Sequence, residues 1–258
     1  MGLLEGKIAF ITGGAQGIGL AVARAFLEQG AKVAIADVQA EAVSKAAASL
    51  GSSCLAVPLD VTDEAATATA GAQIMDRFGR LDILVANAGG SGGFALVGDL
   101  SDDAWNEALS WNLNHYFWAA RRSLGHMVAG GFGRIIAISS VESKQAKKAA
   151  VSHYITNKAA MNALTQAIAF EYGTMGITAN AICPGAIETD LMKEAGPAAA
   201  ESMGITYERF LQNYADESAI KRLNTVEEVA AMAVLLCSDL GGGITGALLN
   251  VDGGTAAY

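Results

Sequence analysis

The chain of 258 residues has only three cysteines, Cys54, Cys183 and Cys237, none in a CxxC or histidine-linked spacing. That count excludes a disulfide framework and gives no zinc pattern. It fits reduced thiols in an intracellular protein. Positive charge is also short, since 17 Lys and Arg face 26 Asp and Glu for a formal net charge of −9. Nucleic-acid binding needs clustered basic residues, so that class is set aside. The acidic balance is a statement about solubility. Long hydrophobic runs are missing too: none approaches the roughly 20 residues of a membrane helix. The opening "MGLLEGK" lacks a basic segment followed by an apolar core, and Gly6 stands where myristoylation requires Ser or Thr. A cytoplasmic protein with neither membrane nor nucleic-acid partners is expected.

What the chain does have is a 52% hydrophobic content, enough for a large core. Short β-branched runs alternate with helical patterns from end to end. The expected strands are 7–12, 32–37, 54–60, 81–87, 134–140, 178–183 and 247–252. Most are apolar on both faces, as strands covered by helices on each side must be. The alternation predicts an α/β protein: a Rossmann-type, doubly wound, mainly parallel seven-stranded sheet with helices on both faces. Residues 1–258 are read as one domain.

Two helix starts are marked. Ser101 precedes Asp102 and Asp103, a cap followed by two acids where the helix dipole favours negative charge. Thr225 and Glu228 have the spacing of a capping box. The stretch from about 190 to 222 is too long for a simple connection between strands and is read as a helical insertion, a substrate lid.

Glycines Gly13, Gly17 and Gly19 follow the first strand and open a helix. Without side chains there, backbone N–H groups can turn tightly against a phosphate at the helix N-terminus. The second strand ends at Asp37, 18 residues beyond Gly19. A carboxylate in that place accepts hydrogen bonds from an adenosine ribose and repels a 2′-phosphate. No arginine follows it, so NAD(H) is preferred over NADP(H).

Between 101 and 124, Trp105, Ala108, Leu109, Leu113, Tyr116, Phe117 and Ala120 form one helical stripe, and Asn112 lies within it. Asn112 is thus either a core residue fixing the helix or part of a site. Ser139 and Ser140 end the fifth strand, with one expected to face a site and the other away. Tyr154 and Lys158 are four apart and share a helical face. A phenol of pKa ~10 is a poor base at neutral pH. An ammonium ~4 Å away at an effective dielectric of 20 contributes ~4 kcal/mol, or roughly three pKa units. The pair can therefore do acid/base work without the neighbouring His153, which points about 100° away.

Together these residues resemble the single-domain branch of the short-chain dehydrogenase/reductase family, over about residues 5 to 254. "TGGAQGIG" (12–19), containing Gln16 and Ile18, is similar to its cofactor turn. Asp60 and Val61 match the adenine-side acid, and Asn87, Ala88 and Gly89 the central-sheet motif. Pro184, Gly185, Ile187 and Thr189 resemble the nicotinamide-side segment, and "VDGG" (251–254) the closing motif. Asn112, Ser140, Tyr154 and Lys158 match the catalytic tetrad.

The resemblance implies hydride transfer at a nicotinamide, with Tyr154 exchanging the substrate proton and Ser140 hydrogen-bonding the substrate oxygen. It gives Lys158 the tyrosine pKa and the ribose, gives Asn112 a water linking Lys158 to solvent, and adds no metal. It also implies a homotetramer packed through helices 101–124 and 152–173. Ser140 lies 14 residues before Tyr154, one more than usual in the family, with Ser139 as the fallback.

The expected reaction is the interconversion of a secondary alcohol and a ketone. Glu142, Val151, Met192 and Phe210 are the expected substrate contacts. Leu191, Met203, Tyr207 and Tyr214 add to an apolar inventory suited to a cyclic or aromatic small molecule. Alternatives are a 3-oxoacyl-thioester reductase on acyl carrier protein or coenzyme A, and a nucleotide-binding regulatory protein without catalysis. Lys144, Lys147 and Lys148 crowd one loop of an acidic chain. They read either as a solvated loop or as attraction for an anionic substrate.

Overall fold

Strand β1 (Ile8–Thr12) is flanked by β2 (Lys32–Asp37) and β4 (Ile83–Ala86), and this is where the sheet changes direction. The computed structural model describes residues 2–256. With β3 (Cys54–Pro58), β5 (Gly133–Ile138), β6 (Ile177–Pro184) and β7 (Leu248–Val251), the strand order is β3-β2-β1-β4-β5-β6-β7. Every pairing is parallel, with Ile11 opposite Ile35 on one side and Val85 on the other. The chain winds outward to β3, crosses back, and continues from β4 to β7. A crevice opens at the carboxyl ends of β1 and β4, where such sheets bind ligands.

Alternation along the strands divides the core in two. Ala9 and Ile11 of β1 face one apolar cluster, with α1 (Gly17–Glu28), α2 (Ala40–Leu50) and α10 (Val226–Cys237) packed over it. Ile8 and Phe10 face the other, covered by α3 (Glu64–Phe78), α5 (His115–Gly130) and α7 (Ser152–Tyr172). Burial on both sides explains why the strands read as continuous apolar runs. The fourth strand is shorter than its apolar pattern. Just ahead of it, the buried Asp82 carboxylate accepts the Ile8 N–H at 2.9 Å and the Arg80 Nε–H at 3.0 Å.

The capping signals form as expected. Ser101 Oγ accepts the Ala104 N–H at the start of α4 (Asp102–Leu109). Thr225 Oγ1 accepts the Glu228 N–H at 3.3 Å, and Glu228 Oε2 accepts the Thr225 N–H at 2.9 Å. Thr225→Ala is expected to lower stability by about 1 kcal/mol, read as a lower urea midpoint. An unchanged midpoint would mean that the cap adds nothing here.

The segment 101–124 is not one continuous helix. Between α4 and α5 the backbone makes a π turn, Ser110–Asn114, which adds a residue to the repeat and rotates the following face. The expected stripe therefore breaks: Ala108 and Tyr116 are buried, while Trp105 and Phe117 are exposed. The insertion after β6 folds as two helices, α8 (Asp190–Ser202) and α9 (Tyr207–Glu217), each capped by a threonine, Thr189 and Thr206. The remaining short helix, α6 (Glu142–Gln145), follows β5. Among the described residues no helix is long and apolar enough to cross a membrane. The three cysteines are free.

Candidate active site

The turn between β1 and α1 is shaped by what its glycines lack. Gly13 and Gly17 hold φ of +63° and +56°, and a Cβ on Gly19 would lie 2.2 Å from the Gly13 carbonyl oxygen. Gln16, at the N-cap, makes no side-chain cap, and the first turn of α1 carries no acid of its own. The Gly17 N–H donates instead to Asp190 Oδ2 at 3.0 Å, from the first residue of α8. Asp37 is tied to the same turn, accepting the Ala15 N–H at 3.3 Å and the Gln39 N–H at 3.1 Å.

One network locks this turn to β4. Asn87 Nδ2 donates to the carbonyls of Thr12 and Gly13, at 3.0 and 2.9 Å. The N–H groups of Asn87 and Ala88 both donate to Thr12 Oγ1. With its lone pairs used, the Thr12 hydroxyl proton is left for His115 Nε2, 3.2 Å away, so the proton on Nδ1 goes to the Trp111 carbonyl at 2.7 Å. Burial, assisted by the charge of Lys158, lowers the His115 pKa to about 4, so the ring is neutral. Sequence reasoning missed Thr12 and His115. A lone histidine within a helical segment gives no signal of a partner 103 residues away.

At the end of β5, Ser139 and Ser140 separate as their alternation requires. Ser139 Oγ donates to the Lys158 carbonyl at 3.1 Å, and Ser140 Oγ accepts the Glu142 N–H at 3.2 Å. Tyr154 and Lys158 share one face of α7. Lys158 Nζ donates to the Ile138 carbonyl at 2.8 Å and lies 5.7 Å from the centre of the Tyr154 ring.

The electrostatics differ from the expectation of a tyrosine lowered by its lysine. Burial pushes the Tyr154 phenol up, and the Glu142 carboxylate adds to this, while a hydrogen bond with Ser140 works the other way. The lysine is itself lowered to about 8 by burial. Desolvation, which the four-residue spacing does not reveal, is the largest influence on both groups.

Asn112 sits in the π turn, fully buried, with Nδ2 donating to the carbonyls of Gly90 and Ala108 at 3.0 and 2.8 Å. Its Oδ1 has no hydrogen-bond partner among the described residues. A Cβ on Gly89 would lie 2.5 Å from that oxygen.

These elements enclose a cavity of about 1310 Å³. Asp37, Asp60 and Val61 line one end, Gly13, Gln16 and Ile18 the middle, and Ser140, Tyr154 and Lys158 the other end. Asn87, Ala88, Gly89, Pro184, Gly185, Ile187 and Thr189 also reach its wall. Gly17 and Gly19 shape the turn behind it, and Asn112 stands behind Gly89 and Gly90. The closing motif supports this wall from outside: a Cβ on Gly185 would lie 2.8 Å from the Asp252 Cα.

Among the expected substrate contacts, Val151, Met192 and Phe210 line the cavity. Glu142 lines the cavity as well. Its side chain reaches the wall, but its carboxylate accepts from Gln145 Nε2 and from the Lys147 and Lys148 N–H groups, so it builds the loop. His153 is buried with Nε2 on the Ser91 carbonyl, away from Tyr154, as its helical position requires. Phe94, Trp111, Lys148 and Tyr214 join the wall. Loop geometry and the π turn bring in Phe94 and Trp111, and neither follows from periodicity.

A family model described as enoyl-(acyl carrier protein) reductase matches residues 13–256. The D-beta-hydroxybutyrate dehydrogenase of Rhizobium meliloti (strain 1021) is 35% identical, over 97% of this chain and 99% of its own. The 3beta-hydroxysteroid dehydrogenase 2 of Eggerthella lenta is 32% identical, over 99% and 97%. A solved structure of 3-ketoacyl-(acyl-carrier-protein) reductase from Brucella melitensis, complexed with NADH, superposes with a TM-score of 0.87 at 28% identity, over 98% and 99%. The chain belongs to the short-chain dehydrogenase/reductase family and is an oxidoreductase of the kind that acts on CH–OH groups.

Proposed function

We propose that the protein interconverts a secondary alcohol and a ketone with NAD(H), using Tyr154 as the general acid/base. The observation that carries this reading is a single cavity with Asp37 at one end and Ser140, Tyr154 and Lys158 at the other. The residues fit a dinucleotide. Glycines leave the turn open where side chains would fill it, and Asp37 ends β2 in the same wall. The solved Brucella melitensis reductase complexed with NADH supports the same cofactor class.

Gly13, Gln16, Ile18 and the α1 N-terminus would hold the pyrophosphate, Asp37 the adenosine ribose, and Asp60 and Val61 the adenine. Pro184, Gly185, Ile187 and Thr189 would border the nicotinamide, with Asn87, Ala88 and Gly89 fixing the floor. When bound, the nicotinamide supplies or accepts the hydride. Tyr154 gives its proton to the carbonyl oxygen in reduction and takes it from the hydroxyl in oxidation. Ser140 hydrogen-bonds that oxygen, and Lys158 holds the ribose and supplies positive charge beside the phenol. Asn112, with a free buried Oδ1, orients a water toward Lys158.

Helices α8 and α9 act as the lid. Met192, Phe210, Tyr214 and Trp111 suit a cyclic or aromatic substrate body. The exposed Phe117 of α5 and Phe170 of α7, at 43% and 92%, support subunit contacts of a homotetramer.

The test is turnover of a panel of secondary alcohols and ketones with each cofactor, followed by absorbance of the reduced form. The wild-type protein is expected to favour NAD. Asp37→Ser is expected to lower kcat/KM with NAD by roughly tenfold, as loss of hydrogen bonds to a charged acceptor implies, while NADP improves. Faster wild-type turnover with NADP would overturn the cofactor assignment. Absence of turnover beside firm NAD binding would favour a regulatory protein.

A further inference from the structure

We propose that Lys148 recognises a carboxylate on the substrate, so that the alcohol and ketone handled here are a hydroxy acid and an oxo acid. This rests on the oxidoreductase reading above and names its substrate class. The three lysines of the loop have separate fates. Lys144 Nζ is held by the Leu248 carbonyl at 2.9 Å and Asn250 Oδ1 at 2.7 Å, and Lys147 is exposed. Lys148 lines the cavity, with Nζ 3.9 Å from the centre of the Tyr214 ring on α9. None of the ion pairs among the described residues includes it. A ring face covers one side of an ammonium and leaves donors for an anion.

The loop is built to keep that ammonium in place. Both oxygens of the buried Glu142 carboxylate are used inside the loop, one of them accepting the Lys147 and Lys148 N–H groups at 2.9 and 3.3 Å. Ala146 and Ala150 adopt φ of +50° and +63°, a left-handed backbone that non-glycine residues rarely take. Such strain persists where the surrounding structure enforces it and clusters at ligand sites. The Ala150 carbonyl in turn accepts the Ala95 N–H at 2.9 Å, joining this loop to the Phe94 side of the cavity.

The other cation in the wall, Lys158, donates to the Ile138 carbonyl beside Tyr154. Lys148 rests on Tyr214 and shares the cavity wall with Trp111, Met192 and Phe210, so its single ammonium matches one negative charge. The several charges of a coenzyme phosphate would find no second free cation among the described residues of that aromatic wall, in a chain whose net charge is already −9. A carboxylate is the anion that fits.

The experiment compares a charged and a neutral probe of one shape, in excess NADH. Binding of cyclohexanecarboxylate and of its carboxamide is measured by calorimetry, and turnover of 3-oxocyclohexanecarboxylate and its carboxamide by absorbance. The acid is expected to exceed the amide about tenfold or more in affinity and in kcat/KM. K148Q is expected to bring that ratio down by roughly tenfold or more, close to one, as loss of a charge-assisted hydrogen bond implies, and K148R to restore most of it. No preference for the acid in the wild-type protein overturns the proposal. So does an equal loss on acid and amide in K148Q, which would make Lys148 a latch for Tyr214. Lysine-dependent acid binding without turnover of any ketone would uphold carboxylate recognition by Lys148 and overturn the proposed alcohol–ketone chemistry. Turnover of neutral ketones with no charge preference would do the reverse.

Discussion

Tyr154→Phe is expected to lower kcat by roughly 10²–10⁴-fold, the span that a positioned general acid/base contributes. NADH affinity and the thermal midpoint should change little, because phenylalanine keeps the half-buried ring and removes only the hydroxyl. The pH dependence follows from the same surroundings. Burial and the Glu142 carboxylate raise the phenol, so Tyr154 is protonated at neutral pH and ready to donate. That form is lost only as pH rises through the raised value. Lys158, lowered to about 8, loses its ammonium sooner. Ketone reduction is therefore expected to be level below about pH 8 and to fall above it, whereas alcohol oxidation, which needs the phenolate, rises from neutral pH. Initial rates in both directions, from mildly acidic to alkaline pH, give the comparison. Reduction that accelerates as pH rises past the lysine's value, or wild-type turnover by the Tyr154→Phe variant, would end the assignment of Tyr154.

The sheet was legible because its strands are apolar on both faces and punctuated by turns, and no local choice opposed another. KVAIAD forms β2 at the expected boundaries, Lys32–Asp37, and the glycines after β1 make the expected turn. What could not be read is set by contacts distant in sequence or by desolvation. The π turn at Ser110–Asn114 follows no hydrophobic period, so the stripe carried across it assigned Phe117 to the buried face. His115 acquires its role from Thr12, across the sheet. Glu142 lines the cavity, and the further task of its carboxylate, accepting the Lys147 and Lys148 N–H groups, is set by the fold of its loop and not by any sequence pattern. The tetrad was recognisable by resemblance. The state of its tyrosine was not, because four-residue spacing says which groups are neighbours and says nothing of how much water each has lost.

Gly19→Ala is expected to weaken NADH binding by about 10–100-fold, the equivalent of the about 1–3 kcal/mol that overpacking costs. The new Cβ would lie 2.2 Å from the Gly13 carbonyl oxygen and 2.7 Å from Asn87 Nδ2. Neither neighbour is a flexible chain end. The oxygen belongs to the turn itself, and the Asn87 amide is held by the Thr12 and Gly13 carbonyls. Relief must come from moving the turn, which displaces the N–H groups of α1 from the cavity wall. Gly17→Ala provides the contrast. Its Cβ would meet nothing closer than Thr189 at 3.7 Å, and the cost is that of holding φ at +56°, about 1–2 kcal/mol. Fluorescence titration with NADH and thermal melts of both variants separate steric from conformational cost, with Gly19→Ala the weaker binder. Wild-type affinity in Gly19→Ala would show that the turn yields without loss, and that the glycines are not what shapes the cofactor end of this cavity.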